Sequence, residues 1–287
     1  MRSAIARLVA NEDLNFLLTN RLPRRLATNF VGWFSKIENP IVAKSSIALW
    51  KLFSDVDLAD AAETTFPSMH ACFIRTLKPG ARPVEDDADV VASPCDAIVG
   101  AHGPIDGDTV HQIKDAPYRL SELVGDAAEA APYQSGTYVT LRLTAGMYHH
   151  FHAPHELTVD QVTYISGDCW NVNPIALKRV ERLFCKNERA AIHCRLDDGT
   201  PVMLVAVAAV LVASIRLSFL DTARSLRVGG ARTIPVQARI RKGEEMGYFE
   251  HGSTIVMLLP KGFRFADGVE PGVRIRAGQA LFVRALQ

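Results

Sequence analysis

Three short stretches of the chain carry side chains able to do chemistry. Tyr148-His149-His150-Phe151-His152-Ala153-Pro154-His155 is the densest, with four histidines. Imidazole has the side-chain pKa nearest neutrality, so such a cluster suits acid–base work or metal binding. On an extended chain His150 and His152 share one face, and His149 and His155 the other. No second cluster of His, Cys or closely spaced carboxylates supplies further ligands, so acid–base work is the stronger reading and no metal is expected. Near the C-terminus, Gly252-Ser253-Thr254 follows a glycine-rich approach, Lys242 to Gly247, and leads into the apolar run Ile255 to Leu259. A serine hydroxyl becomes a nucleophile when a neighbouring base takes its proton. The third stretch, Ser93-Pro94-Cys95-Asp96-Ala97-Ile98-Val99, reads as a turn entering a strand, with Asp96 in the turn.

The elements that must position these residues fall into two textures. Over residues 1–60, Leu14, Phe16, Leu17, Leu18, Leu22, Leu26, Phe30, Val31, Trp33 and Phe34 recur at spacings that fit helical faces. Asn11 or Asp13 is expected to cap a first helix, and Pro23 to sit early in a second. Residues 1–51 hold eight Lys or Arg against three Asp or Glu. A basic, aromatic-bearing amphipathic region suits an anionic membrane surface, and equally a domain face or an oligomer interface. From about Thr65 onward, short apolar alternations are broken by Pro and Gly, the texture of many short strands. Tyr138 to Leu143 is the cleanest strand. Leu281 to Leu286 is expected to close the sheet, and Ala176 to Phe184 to form one short helix. The expected fold is α+β: an amphipathic helical N-terminal region, residues 1–60, then a mainly antiparallel β-rich catalytic domain, residues 61–287.

Composition excludes several classes. The formal net charge of +1 does not point to nucleic acid. Cys72, Cys95, Cys169, Cys185 and Cys194 are odd in number and contain no Cys-x-x-Cys pair, so reduced, mostly buried thiols are expected. The longest apolar run, Val202 to Ile215, would span about 21 Å as a helix, short of a bilayer core of roughly 30 Å. Its valines favour a buried strand or strand pair. No secretory signal is visible at Met1 to Ala10. No Gly-x-Ser-x-Gly elbow surrounds Ser253, which argues against a serine hydrolase of that kind.

The segment Gly247-Tyr248-Phe249-Glu250-His251-Gly252-Ser253-Thr254, with its glycine-rich approach and following strand, resembles the self-cleavage site of the phosphatidylserine decarboxylase family. Tyr148, His149, His152 and Pro154 match that family's Tyr-His-x-x-His-x-Pro segment. Asp96 matches the aspartate of its Pro-x-Asp-Gly segment, with Ala97 in place of the usual glycine. Further matching stretches are Phe73 to Leu77, Arg82-Pro83, Gly167-Asp168 with Asn171-Val172-Asn173, and Asn187-Glu188-Arg189. Two departures are His251, where bacterial relatives often carry leucine, and Ala206, Ala208, Ala209 and Ala213, where relatives often carry glycine. The second bears most on substrate identity, since glycine lets a ligand approach the backbone closely. His150 and His155 match no family role and read as hydrogen-bonding or exposed histidines.

The resemblance implies that Asp96, His152 and Ser253 act together, His152 taking the serine proton while Asp96 fixes its tautomer and stabilises the imidazolium. Ser253 Oγ would attack the Gly252 carbonyl, and an acyl shift followed by β-elimination would release a chain ending at Gly252. Hydrolysis would then leave a pyruvoyl group derived from Ser253 as the covalently held cofactor, with loss of ammonia. Thr254 would help position the junction. That ketone would engage the amine of a serine head group and accept the electron pair left by carbon dioxide, with His149 as proton donor. Phosphatidylserine would become phosphatidylethanolamine. The implied partners are this lipid and an anionic membrane surface, with the enzyme peripheral on the cytoplasmic face of the cell membrane. The implied assembly is a heterodimer of the two cleaved chains, itself forming a homodimer. Two alternatives stay open: a pyruvoyl decarboxylase of another amino-acid substrate, and a non-catalytic lipid-binding relative.

Overall fold

The computed structural model describes residues 12–16, 24–209, 215–221, 231–250 and 253–285, with the backbone alone described for residues 14, 15 and 24–29. Outside it lie Asn11, Leu17, Leu18, Arg21, Leu22, Pro23, Val210 to Ser214, Gly229-Gly230, His251 and Gly252.

The apolar run after Ser253 forms the strand Ser253–Leu259, in which every residue is buried. Such a run reads as continuous rather than alternating because both faces of the strand are covered. It lies inside an eight-stranded sheet in the order Ala231–Ile240, Leu157–Ile165, Arg189–Leu196, Pro201–Ala208, Ser253–Leu259, Thr137–Leu143, Ala97–Pro104, Arg274–Ile275. All seven pairings are antiparallel. Ser253 enters the sheet opposite Leu143 on one side and Ala208 on the other. Asn187 clamps that end of the sheet. Its amide nitrogen donates to the carbonyls of Trp170 and Ala208, each at 2.8 Å, and its oxygen accepts from the Trp170 amide at 2.8 Å.

Two smaller three-stranded sheets flank the large one. One is built of Ile215–Leu217, Glu245–Phe249 and His150–His152 in that order, and the other of Val90–Ala92, Ala280–Arg284 and Phe263–Phe265. The C-terminal strand therefore does not close the large sheet as expected. It pairs in the second small sheet instead. The long apolar run contributes Pro201–Ala208 to the large sheet and begins Ile215–Leu217 in a different one.

The single helix expected over Ala176 to Phe184 is two pieces, Pro174–Arg179 and Leu183–Lys186. Arg182 between them is left-handed, with φ of 52°, which ends one run and starts the next. Gln112 holds the break, donating to the carbonyls of Leu177 and Val180 and accepting from the Leu183 amide.

At the N-terminus, helices span Glu12–Phe16, Arg24–Ser35 and Pro40–Phe53. Asp13 sits inside the first rather than capping it. Asn39 caps the third, accepting from the amides of Ile41 and Val42, with Pro40 at its first position, where no N–H is needed. This helix packs through Trp50 on Phe73 of the short helix Met69–Phe73, with ring centroids 5.6 Å apart. Helical structure and packing thus run across residue 60. The architecture is α+β, helical at the N-terminus and antiparallel thereafter.

Candidate active site

Strand His150–His152 pairs with Glu245–Phe249, placing Glu245 opposite His152, Gly247 opposite Phe151 and Tyr248 opposite His150. The Phe249 amide donates to the His149 carbonyl at 3.0 Å. Position 247 requires glycine, because a Cβ there would lie 2.1 Å from the Arg216 carbonyl oxygen. In sequence, Glu250, His251 and Gly252 alone separate this strand from Ser253. The chain therefore passes from the histidine sheet into the centre of the large sheet at the Gly252–Ser253 junction, whose Gly252 side lies outside the described residues. Glu250 is buried and paired with Arg216 at 3.2 Å, and with Lys36 of the N-terminal region at 3.6 Å.

Strand alternation puts Tyr148, His150 and His152 on one face. Their rings stack, Tyr148 on His150 at 5.0 Å and Tyr148 on His152 at 5.7 Å. His152 Nδ1 lies 3.0 Å from the Gly243 carbonyl oxygen and Nε2 lies 3.1 Å from the Tyr148 hydroxyl. A carbonyl can only accept, so Nδ1 carries the hydrogen and Nε2 accepts from the tyrosine. Gly243 presents that carbonyl from a turn closed by the Glu244 amide on the Arg241 carbonyl, and its φ of +80° is one glycine adopts freely. Burial lowers the His152 pKa below its ordinary value. The ring is thus neutral at pH 7 with its lone pair on Nε2, the form a general base requires.

The other histidines of the cluster are engaged elsewhere. His150 contacts the Glu245 carboxylate at 2.8 Å and donates to the Ile74 carbonyl at 2.9 Å. For Glu245, desolvation acts to raise the pKa, but the His150 contact and the charges of His150 and His152 outweigh it, leaving a net lowering. His155 donates to the Ala88 carbonyl at 2.9 Å. His149 faces away from the stack, fully buried, with its ring 4.0 Å from that of Phe73. Among the described residues no group of three or more His, Cys, Asp or Glu is placed to hold a metal ion.

Asp96 is anchored by other partners than His152. Arg82 grips it through Nε at 2.8 Å and Nη2 at 2.6 Å, the Ala277 amide donates to it at 3.0 Å, and Arg82 also reaches Asp60 at 2.9 Å. The Nδ1 contact expected of Asp96 is made by Gly243 instead. Burial dominates the His152 pKa and lowers it, and the Asp96 charge works against that lowering. Ala97 lies in an extended strand opposite Ile275, so the usual glycine is not required there for a left-handed backbone. Ser253 Oγ is completely buried and has no hydrogen-bond partner among the described residues. Among the described residues, Asp96, His152 and Ser253 are not linked to one another by hydrogen bonds.

A cavity of about 410 Å³ lies against Leu143, the strand partner of Ser253. Ala209, Phe73, Asn171, Asn173 and Trp50 also line it. The N-terminal helices therefore form part of the wall. The positions of Gly243 and Asn187 are the pieces missing from the sequence reading. Both fall in stretches already marked there, the glycine-rich approach and Asn187-Glu188-Arg189, but the contacts they make span other elements.

A model of the phosphatidylserine decarboxylase family matches residues 69–283. The phosphatidylserine decarboxylase proenzyme of Shewanella loihica is 34% identical over 281 residues, covering 94% of this chain and 98% of the relative. That of Shewanella baltica is 34% identical, covering 94% and 96%, and that of Shewanella frigidimarina 32%, covering 93% and 97%. The molecule is an enzyme of the carboxy-lyase class, with an α+β fold. It belongs to the phosphatidylserine decarboxylase family.

Proposed function

We propose that the chain is a self-cleaving proenzyme that matures into a pyruvoyl-dependent decarboxylase converting phosphatidylserine to phosphatidylethanolamine. The observation that carries this reading is the position of Ser253: a buried hydroxyl without a described partner, at the start of the central strand after the histidine sheet, paired with the cavity-lining Leu143. A buried hydroxyl left unsatisfied costs stability, so its presence there calls for an explanation in use. It fits the serine precursor of a pyruvoyl group.

In this reading His152 takes the Ser253 proton as Oγ attacks the Gly252 carbonyl. Its Nε2 must exchange the Tyr148 hydroxyl for the serine, while Gly243 keeps Nδ1 in the donor form. The Asp96 charge, locked by Arg82, stabilises the imidazolium from a distance. The ester formed at Oγ then breaks by β-elimination, releasing Gly252 as a carboxylate, and hydrolysis of the new terminus expels ammonia. A pyruvoyl group at position 253 supplies a ketone for the substrate amine and a sink for the electron pair left by carbon dioxide. His149, packed on the cavity-lining Phe73, is the proposed proton donor to the product carbon.

Residues 1–60 are read as the membrane-associating region and 61–287 as the catalytic domain. Phe30, Trp33, Ile41, Leu49, Leu52 and Phe53 are exposed, whereas outside this region the exposed large apolar side chains among the described residues are Val84 and Val273. Apolar side chains concentrated on helices that also wall the cavity suit a substrate held in a bilayer. No described helix is long and apolar enough to cross a membrane, so the proposed attachment is by surface contact. The test compares wild-type chain and Ser253→Ala on phosphatidylserine vesicles and on free serine. Release of carbon dioxide from the lipid by wild type alone supports the reading. Release from free serine alone replaces the lipid with a soluble substrate.

A further inference from the structure

Three buried or largely buried arginines are spent on internal contacts. Arg82 pairs with Asp96 and Asp60. Arg75 donates to the carbonyls of Cys72, Asp57 and Gly146. Arg189 donates to those of Leu123, Cys185, Asn187 and Glu122. Arg142 differs. It is half-buried, and burial pushes its pKa down, with no charged group among the described residues opposing it. Desolvating a guanidinium without an anion is unfavourable, so the position calls for a ligand.

The register locates that ligand. Arg142 lies directly opposite Thr254, and its neighbour Leu143 lies opposite Ser253. Arg142 lines the 410 Å³ cavity walled by Leu143 and also a second cavity, of about 680 Å³. Thr140 and Thr254 line the second cavity too, and their hydroxyls are buried without partners among the described residues. Thr140, Arg142 and Thr254 thus share the sheet face opposite the Ser253 side chain, and of the three Arg142 alone also lines the cavity walled by Leu143.

We propose that Arg142 holds the phosphodiester of the substrate head group from the cavity it lines together with Leu143; this rests on the phosphatidylserine reading above. In that lipid the phosphorus is three bonds from the carbon that loses its carboxylate, so a guanidinium at the cavity walled by the strand partner of Ser253 suits the molecule. Guanidinium donors suit phosphate oxygens. The carboxylate is the poorer occupant. Its charge disappears as carbon dioxide leaves, so an arginine on it would stabilise the ground state more than the transition state. The phosphodiester charge is unchanged through the reaction, which makes Arg142 a binding residue felt in KM rather than kcat.

The test uses purified full-length wild type, Arg142→Gln and Arg142→Lys. Turnover of phosphatidylserine in mixed micelles is measured, with inhibition by glycerophosphoethanolamine, a phosphodiester without carboxylate or acyl chains. Arg142→Gln is expected to raise KM and the inhibition constant together by about tenfold or more, with kcat changed less than about threefold, and lysine to restore part of the loss. Unchanged KM and inhibition constant, or a loss confined to kcat, would overturn the proposal. Should Arg142→Gln fail to self-process, calorimetric binding of glycerophosphoethanolamine to uncut Ser253→Ala, with and without Arg142→Gln, reads the same contact, and equal affinities would overturn it. Arg142-dependent binding by a wild-type chain that does not decarboxylate the lipid would uphold the contact and sink the substrate reading.

Discussion

His152 Nδ1 donates to the carbonyl oxygen of Gly243, 3.0 Å away, and this contact sets which nitrogen of the proposed base is free to accept a proton. The partner that fixes the tautomer is therefore a backbone group on the turn leading toward the Gly252–Ser253 junction, and the Asp96 charge is left to support the cation that forms.

That arrangement separates the roles of the two histidines. His152→Ala is expected to slow self-cleavage by about 10²–10⁴-fold. Asp96→Asn should slow it too, since the charge favouring the imidazolium is lost and the Arg82 pair is weakened. His149→Asn should self-cleave yet decarboxylate poorly. Gel-resolved cleavage and carbon dioxide release measure the two steps. Wild-type processing by Asp96→Asn would remove its assigned role, and wild-type turnover by His149→Asn would remove the proton donor.

The pH dependence of cleavage follows from burial. Desolvation lowers the His152 pKa from its ordinary value near 6.5. The neutral ring is the base, so the cleavage rate should decline with falling pH around a midpoint below 6.5. Burial lowers His70, His102 and His193 as well. Below about pH 6.5 the unfolded chain binds protons that these folded sites resist, so stability should fall as pH falls through that range. Urea midpoints at pH 7 and pH 5.5 check the sign, and a higher midpoint at pH 5.5 would contradict it.

Membrane attachment should divide into a screened and an unscreened part. Trp33→Ser with Phe53→Ser is expected to weaken vesicle binding by up to about 1.5–3 kcal/mol per side chain, with the loss persisting in high salt. Charge reversal at Arg21, Arg24 and Arg25, whose side chains lie outside the described residues, should weaken binding to anionic vesicles at low salt. That effect should fade as the Debye length drops from about 10 Å at 0.1 M to about 3 Å at 1 M. Vesicle co-sedimentation reads both, and unchanged binding by folded variants would mean these helices serve protein contacts alone.

Local signals carried much of this protein. The unbroken apolar run Ile255 to Leu259 marked a strand buried on both faces, and the Pro and Gly punctuation marked a β-rich fold. What stayed hidden were pairings set by distant elements. Nothing local in Ala280–Arg284 says that it joins Val90–Ala92 rather than the large sheet. Gly243 meets His152 from 91 positions along the chain. The break at Arg182 is held by Gln112, some 71 positions from Leu183. Asp96 read as a turn residue, and the arginine that takes its carboxylate is fixed by the fold.

In the proposed reading the working enzyme is not the chain as translated. Intact-mass spectrometry of the purified full-length protein tests it most directly. Cleavage at Gly252–Ser253 predicts two polypeptides, Met1–Gly252 and Ser253–Gln287, the second lighter by one ammonia than simple hydrolysis would leave it and resistant to Edman sequencing. Ser253→Ala should remain one chain. A wild-type protein that decarboxylates phosphatidylserine while its mass is that of a single 31.5 kDa polypeptide would contradict the account.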